Sequence, residues 1–119
     1  MIIIYHILGK IDNDEEMLNL ADVAAHLNDF DIELYCQDAL MPWMCSNPDV
    51  VVSDLPIGYY PVDERAKVYT SATKEGHSYA HHLLIEQSLK YLKPNAFGLF
   101  LVPKLLFETS EAASLMKAI

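Results

Sequence analysis

The fold is decided by residues 49–60, which have the sequence DVVVSDLPIGYY. The three consecutive valines form a short apolar run, and β-branched residues of this kind are typical of a strand that is buried on both faces of a sheet. The run therefore predicts a strand over 49–53. Pro56 predicts a turn directly after that strand.

Strands and helices are predicted to alternate outward from this point. Apolar, β-branched runs predict strands, whereas apolar positions spaced by three and four residues predict helices. The order β-α-β-β-α-β-α is typical of an open, largely parallel α/β sheet that is covered by helices. The predicted strands are 2–8, 32–36, 49–53 and 97–102, and the predicted helices are about 14–28, 78–93 and 110–119.

The first helix has the clearest pattern. Asn13 followed by Glu16 predicts an N-terminal cap in which each side chain binds a free backbone N–H group of the other. Ser78 is expected to cap the second helix. The buried face of the first helix is expected to carry Met17, Leu20, Ala21, Ala24 and Leu27.

The composition favours one domain over residues 1–119 in a reducing, cytoplasmic environment. The chain has 119 residues, of which 52% are apolar, and no apolar run approaches the ~20 residues of a membrane span. Its net charge of −9 disfavours a nucleic-acid module that binds by bulk positive charge. Cys36 and Cys45 are expected to be buried thiols.

Three histidines raise the question of a metal site. His77 and His81 are one helical turn apart, and His82 follows them. The sequence offers no evident third ligand, so we predict no metal and favour packing of these side chains in the core.

Acidic residues follow three of the predicted strands. In an open α/β sheet, ligands bind at the carboxyl ends of the strands, where Asp12, Asp38 and Asp54 are expected. A carboxylate there can accept hydrogen bonds from a ribose diol or from an adenine amino group. The alternative is that each acid caps the helix that follows it, which is the commoner role of a single acid.

Residues 54–60 form the most specific candidate motif. A carboxylate, a rigid proline and nearby tyrosines directly after a buried strand can hold a planar base that carries an amine. A turn whose tyrosines fill the core is an equally good interpretation of these residues taken alone.

The chain resembles the central part of the adenine-specific DNA methyltransferase-like proteins in four blocks of sequence, 49–61, 76–89, 92–94 and 100–103. These proteins are class I S-adenosylmethionine-dependent methyltransferases, which have a Rossmann-like fold. The resemblance covers about residues 8–119 and is strongest over 49–103. The order and the spacing of the blocks carry it.

The resemblance implies catalytic roles after the third predicted strand. Residues 53–60 take the place of the family's Asn/Asp/Ser-Pro-Pro-aromatic motif, although Leu55 stands where a first proline is usual and Ile57 where the aromatic residue is usual. The implied catalytic residues are Asp54, which accepts from the target amino group, Pro56, which shapes the turn, and Tyr59 and Tyr60, either of which stacks on the base.

The resemblance also implies cofactor contacts. Asp38, followed by Ala39, matches the acid that contacts the cofactor adenine. The acid that binds the cofactor ribose usually stands in the pattern Gly-x-Asp/Glu, whereas here Gly9 is followed by Lys10, Ile11 and Asp12. Either Asp12 takes this role by a shift of register, or the contact is absent.

The family's glycine-rich cofactor loop would precede residue 1, together with the central strand of the sheet, and its closing strands would follow residue 119. The resemblance thus implies an internal fragment of an N6-adenine-type DNA methyltransferase that is inactive alone. Its intact parent would use S-adenosylmethionine and act on DNA or another amine-bearing substrate. The alternative is a non-catalytic interaction module derived from this fold.

The loss of a central strand has a consequence for assembly. The strands at 2–8 and 50–54 would be left with unpaired edges, and such edges associate readily. Either the two strands close up against each other or two chains form a symmetric dimer. We expect the homodimer, and no membrane partner.

Overall fold

The structure is a computed structural model that describes residues 2–5, 9–44, 47–56, 58–60, 68–69, 71–72, 78–104, 106–110 and 112–119. Its helices are α1 (Glu15–Leu27), α2 (Ala80–Tyr91) and α3 (Ala112–Ala118), with a 3-10 turn at Leu106–Glu108. Its strands are β1 (Ile2–Tyr5), β2 (Gly9–Asp12), β3 (Glu33–Cys36), β4 (Val50–Asp54), β5 (Tyr59–Tyr60), β6 (Ser78–Tyr79) and β7 (Phe97–Leu101).

Five strands form the main sheet in the order β3-β2-β1-β4-β7. Strand β2 is parallel to β3 and β4 is parallel to β7, whereas β1 is antiparallel to both of its neighbours, β2 and β4. Four of the five strands therefore run in one direction. This confirms the predicted α/β class with a largely parallel sheet. Strands β5 and β6 form a separate antiparallel pair.

The predicted strand over 2–8 is confirmed for Ile2–Tyr5, and residues 6–8 lie outside the described residues. Strand β2, which begins at Gly9, was not predicted; it pairs with β1 in an antiparallel register that places Ile2 opposite Ile11. Its sequence, GKID, is too short and too polar to indicate a buried strand by itself. Strand β1 occupies the central place that the resemblance assigned to a strand before residue 1.

The pairing of β1 with β4 is the closing-up that we considered as the alternative to a dimer. Ile3, Ile4 and Tyr5 pair with Val52, Val51 and Val50 in turn. The centre of the sheet is therefore continuous, and its two edges are β3 and β7. The homodimer itself stays a prediction.

The two crossover helices lie on opposite faces of the sheet. Helix α1 connects β2 to β3, which leads from the centre to one edge, and α2 lies between β4 and β7, which leads to the other edge. Crossovers between parallel strands are right-handed in nearly all proteins, so connections that run in opposite directions place their helices on opposite faces. Helix α1 packs on β2 and β3.

The hydrophobic core lies between the sheet and α2. Its fully buried members come from β2, β4, α2 and α3, and each is 0% exposed: Ile11, Val51, Leu83 and Leu115. Removing an aliphatic side chain of this size from water contributes about 1.5–3 kcal/mol. This core fixes the position of α2 relative to the carboxyl ends of the central strands.

Helix α1 has the predicted bounds but a different cap and buried face. Asp14, rather than Asn13, is the N-cap, because its carboxylate accepts hydrogen bonds from the N–H groups of Glu16 (3.0 Å) and Met17 (3.4 Å). Leu18 and Ala25 are buried, whereas the predicted face is largely exposed. The helix is apolar on more than one side, so its spacing alone could not show which side meets the sheet.

Two further predictions were wrong. Helix α2 begins at Ala80, and Ser78 is not its cap because it belongs to β6, where it pairs with Tyr60. Cys36 is exposed rather than buried, since it is the last residue of the edge strand β3. Cys45 and His77 lie outside the described residues.

Candidate functional site

A cleft of about 150 Å³ lies at the carboxyl ends of β2, β3 and β4. The parallel direction of these strands brings the segments that follow them to one edge of the sheet, which is where open α/β sheets bind ligands. The residues that line the cleft are Ile11, Asp12, Asn13, Gln37, Asp38, Ala39, Leu40, Pro56, Ala80 and Leu84. Four of the predicted site residues, Asp12, Asp38, Ala39 and Pro56, are therefore in one place.

Asp12 is the last residue of β2, so the shift of register that we considered brings an acid to the end of this strand. Lys10 lies inside the strand, paired with Ile3 and Leu34. The Asp12 carboxylate accepts a hydrogen bond from the backbone N–H of Asp14 at 3.0 Å. This bond uses one of its oxygens and leaves further acceptor capacity on the carboxylate.

Asp38 lies in the segment that follows β3. Its carboxylate accepts a hydrogen bond from the backbone N–H of Leu40 at 2.9 Å, which holds the turn closed. The two strand ends are joined directly, because the Gln37 N–H donates to the Asp12 carbonyl at 3.0 Å. Both acids thus take part in local backbone bonds, but neither caps a helix, since the N-cap of α1 is Asp14 and a turn follows Asp38; both also line the cleft.

The segment 37–44, here called the β3 loop, is held by three long side chains. Three successive carbonyl groups accept from them: Ala39 from Trp43 Nε1 at 2.8 Å, Leu40 from the Tyr69 hydroxyl at 2.5 Å, and Met41 from Gln87 Nε2 at 2.8 Å. The Trp43 ring also stacks on Tyr91 of α2, with ring centroids 5.0 Å apart. The β3 loop is therefore fixed to the body of the protein.

The segment after β4 holds the predicted catalytic residues. Asp54 is the exposed last residue of β4, paired with Leu101, and is not among the residues that line the cleft. Leu55 is buried in the core (3% exposed). Pro56 lines the cleft with an exposed ring. Tyr59 and Tyr60 form β5, but their side chains and Ile57 lie outside the described residues.

Gly58 joins this segment to the start of α2. Its carbonyl accepts a hydrogen bond from the N–H of Ala80 at 2.8 Å, and its φ of +138° is a conformation that residues with a side chain rarely adopt. Ala80 and Leu84, on the first two turns of α2, form the apolar wall of the cleft.

Two buried histidines lie beside this wall. His81 and His82 are 4% and 1% exposed. Their ring centroids lie 4.9 and 5.1 Å from that of Tyr79 and 4.8 Å from each other. Burial lowers the pKa of His81 below its ordinary value. Within the described residues, no three His, Cys, Asp or Glu side chains are grouped so that they could hold a metal ion.

The charge of the cleft suits a ligand that donates hydrogen bonds. Asp12 and Asp38 contribute carboxylates, and no lysine or arginine is among the described residues that line it. Carboxylates accept hydrogen bonds from hydroxyl and amino groups and attract cations, whereas they repel phosphates. The charge of the cleft therefore fits a ribose diol and an amine better than a nucleotide phosphate.

The side chains that support the cleft were not predicted from the sequence. Gln37, Tyr69 and Gln87 have no motif, and Tyr69 and Gln87 act over separations of 29 and 46 residues along the chain. The only sequence signal for them is a polar residue on an otherwise apolar helix face, which applies to Gln87.

A second, larger pocket of about 500 Å³ lies on the other side of the β3 loop. Among the described residues that line it, none is a predicted site residue and none comes from the end of β2 or β4. Its lining residues are Leu40, Pro42, Val68, Tyr69, Glu86, Gln87, Leu89, Lys90 and Ile119. Its size alone would favour this pocket as the ligand site, but only the smaller cleft is lined by the carboxylates at the ends of the strands, Asp12 and Asp38.

Comparison with known proteins identifies the fold. No protein-family model matches the chain. The uncharacterized protein YtxK of Bacillus subtilis is 44% identical over 105 residues. A crystal structure of a candidate class I S-adenosylmethionine-dependent methyltransferase from Listeria monocytogenes matches with a TM-score of 0.84 and 44% identity. The chain has a methyltransferase-like fold.

The chain spans about a third of the length of both relatives. The match to YtxK covers 88% of this chain and 32% of the relative, and the match to the Listeria protein covers 92% and 34%. The methyltransferase-like fold is therefore established for this chain. None of the helices in the described part of the chain has the length and apolarity of a membrane span.

Proposed function

We propose that this chain is a segment of an S-adenosylmethionine-dependent methyltransferase of the N6-adenine type, and that its cleft holds the adenosine end of the cofactor. The observation that carries the proposal is the convergence of Asp12, Asp38, Ala39 and Pro56 on one cleft at the carboxyl ends of three strands. The methyltransferase-like fold supports it, because ligands of this sheet type bind at that edge.

In this proposal the two carboxylates bind different parts of the adenosine. Asp12, at the end of β2, accepts from the ribose hydroxyls, and Asp38, one strand further out, accepts from the adenine amino group. Ala39 and Leu84 supply apolar surface for the adenine ring. The same acidic surroundings favour the positive charge of the cofactor's sulfonium and amino groups.

The substrate amine is proposed to bind at the end of β4. A bound cofactor would supply an electrophilic methyl group. The amine nitrogen would attack it, the carbon–sulfur bond would break with its electron pair left on sulfur, and the methylated nitrogen would then release a proton to solvent. The Asp54 carboxylate orients the amine and offsets the positive charge that develops on its nitrogen. Asp54 is exposed at this edge, which leaves it accessible to a substrate.

The chain alone is proposed to be inactive. Its four glycines are Gly9, Gly58, Gly76 and Gly98, so it contains no glycine-rich loop that could wrap the methionine part of the cofactor. Binding would then rest on the adenosine part, and the affinity would be weaker than in the whole protein.

Calorimetry with S-adenosylhomocysteine, the demethylated cofactor, tests the proposal. Asp12→Asn and Asp38→Asn keep the size of each side chain but remove its charge, which should raise the dissociation constant about tenfold. The matched control is Asp22→Asn, because Asp22 is exposed on α1 away from the cleft. Equal affinity of all four proteins would refute the cofactor site.

A non-catalytic interaction module is the second candidate function. The observation that favours it is the row of exposed apolar side chains on β7, Phe97, Leu99 and Leu101, which are 61–70% exposed. No binding of S-adenosylhomocysteine at millimolar concentration would favour this function over the first.

A further inference from the structure

The larger pocket has the size and the mixed lining of a small-molecule site. Its volume of about 500 Å³ falls within the range of typical ligand pockets, roughly 300–1000 Å³. Its apolar wall comes from four separate parts of the chain: Leu40, Pro42, Val68, Leu89 and Ile119. The proposed cofactor site, in the smaller cleft, leaves this pocket without an assigned ligand.

The polar groups of the larger pocket come from a single stretch of α2. Glu86 and Lys90 are four residues apart, so they are neighbours on the helix surface, about 6 Å apart along its axis. Gln87 also lines the pocket and is 2% exposed. Its Nε2 donates to the Met41 carbonyl at 2.8 Å, which leaves its amide oxygen as an acceptor. The pocket therefore offers a carboxylate, an ammonium group and an amide oxygen close together.

The walls of the larger pocket are held in place before any ligand binds. The Glu86 carboxylate accepts from the backbone N–H of Ser71 at 3.3 Å and from its hydroxyl at 3.4 Å. A carboxylate has about four acceptor sites in all, so these two bonds do not saturate it. The Tyr69 hydroxyl, which donates to the Leu40 carbonyl, holds another part of the wall. A pocket that is already ordered loses less conformational freedom when it binds a ligand.

The Lys90 ammonium group is accessible to a ligand. Lys90 is exposed, and its Nζ lies 5.7 Å from the centre of the Tyr91 ring. Within the part of the chain that the structure describes, the lysine in an ion pair is Lys93, with Asp49 at 2.9 Å, and Lys90 is in none. A positive charge at the rim of the pocket attracts an anionic group.

The charges of the larger pocket favour a ligand that carries both signs. Glu86 supplies one negative charge and Lys90 one positive charge. A ligand with a single charge is attracted by one of these residues and repelled by the other, whereas a zwitterion can pair with both. Val68 and Ile119 are 80% and 64% exposed, so an apolar group in the pocket would remove apolar surface from water.

We propose that the larger pocket binds a zwitterionic amino acid with an apolar side chain. Glu86 and the Gln87 amide oxygen accept from its ammonium group, Lys90 pairs with its carboxylate, and its side chain packs against Leu40 and Leu89. The site is separate from the cofactor cleft, although Leu40 lines both, so the proposal does not depend on the proposed function.

Titration of the ¹⁵N-labelled chain with L-leucine, followed by nuclear magnetic resonance, tests the proposal. We expect saturable shifts of the backbone amides over 86–90, with a dissociation constant of roughly 1 mM or lower. Two probes of similar size each lack one charge. Leucinamide has no carboxylate and 4-methylpentanoate has no ammonium group, and each should bind about tenfold more weakly than leucine.

Variants of the two charged residues test their separate roles. Glu86→Gln and Lys90→Met each remove one charge and should raise the dissociation constant of leucine about tenfold. Lys93→Met is the matched control, because it also removes a lysine charge but lies just after α2 and does not line the pocket. Circular dichroism checks that each variant is folded.

Three results would overturn the amino acid site. The first is the absence of saturable shifts over 86–90 at tens of millimolar leucine. The second is equal affinity for leucine, leucinamide and 4-methylpentanoate. The third is equal weakening by Lys90→Met and Lys93→Met, since a general loss of positive charge would then account for the effect.

Discussion

The attachment of the β3 loop to α2 can be tested by replacing Gln87 with methionine. Gln87 is 2% exposed, and its Nε2 donates to the Met41 carbonyl at 2.8 Å, across 46 residues of sequence. Methionine has a similar length and fills the same space, but it has no hydrogen-bond donor. The variant therefore removes the bond and leaves the packing of α2 almost unchanged.

The expected loss of stability is about 1 kcal/mol. A hydrogen bond of this kind contributes about 0.5–1.5 kcal/mol to the net free energy of unfolding. The Met41 carbonyl would be left without a donor, which adds to the loss of stability unless water reaches it. The removal of a buried amide partly offsets both effects. For a domain of 119 residues, this change corresponds to a melting temperature lowered by about 5 °C.

Thermal and urea unfolding followed by circular dichroism would measure the effect. Asn19→Met, at an exposed position of α1, is the control and should change the unfolding free energy by less than about 0.5 kcal/mol. Because Ala39 and Leu40 line the cleft, Gln87→Met should also weaken the binding of S-adenosylhomocysteine severalfold. An unchanged unfolding free energy would show that the bond does not hold the β3 loop.

Three other predictions concern the core, a buried histidine and the proposed catalytic acid. Leu83→Ala, at a site with 0% exposure, should lower the unfolding free energy by about 2–5 kcal/mol, whereas Leu20→Ala, at 64% exposure, should change it little. Urea unfolding would measure both, and equal effects would contradict the described core. Since burial lowers the pKa of His81, the unfolded chain binds a proton more readily than the folded one, so stability is full above the ordinary pKa of 6.5 and is lost as the pH falls below it. His81→Gln should reduce this acid loss in unfolding measured from pH 7 to pH 5, while the exposed control His26→Gln should retain it. Asp54→Ala, in a full-length protein that contains this segment, should abolish transfer of a labelled methyl group with little loss of stability, and full activity would exclude the proposed role.

Local sequence patterns were sufficient for the helices and for most strands. The valines of β4 and the spacing in α1 each gave a segment with the right type and nearly the right ends. The same patterns could not show that β1 and β2 are two paired strands, because an apolar run does not indicate which other strand it pairs with. They also could not choose between the apolar sides of α1, since that choice depends on the sheet beside it.

The candidate site was predictable to the extent that it depends on strand ends. Asp12 and Asp38 come together because β2, which ends at Asp12, is parallel to β3. The edge of the sheet was predicted correctly for both acids, but the strand that brings Asp12 there was not predicted. Asp54 comes to the same edge but lies outside the cleft. The bonds from Tyr69 and Gln87 could not be predicted, because they join residues that are distant in sequence and depend on how α2 packs.

The most direct test of the account is to locate the cofactor on the chain by nuclear magnetic resonance. The ¹⁵N-labelled chain would be titrated with S-adenosylhomocysteine, and the backbone amide signals followed residue by residue. The proposed cofactor site predicts saturable shifts at the ends of β2 and β3, over 12–14 and 37–40, and none at the exposed residues of α1 such as Asp22. Shifts confined to the larger pocket around Glu86 and Lys90, or no shifts at millimolar ligand, would contradict it.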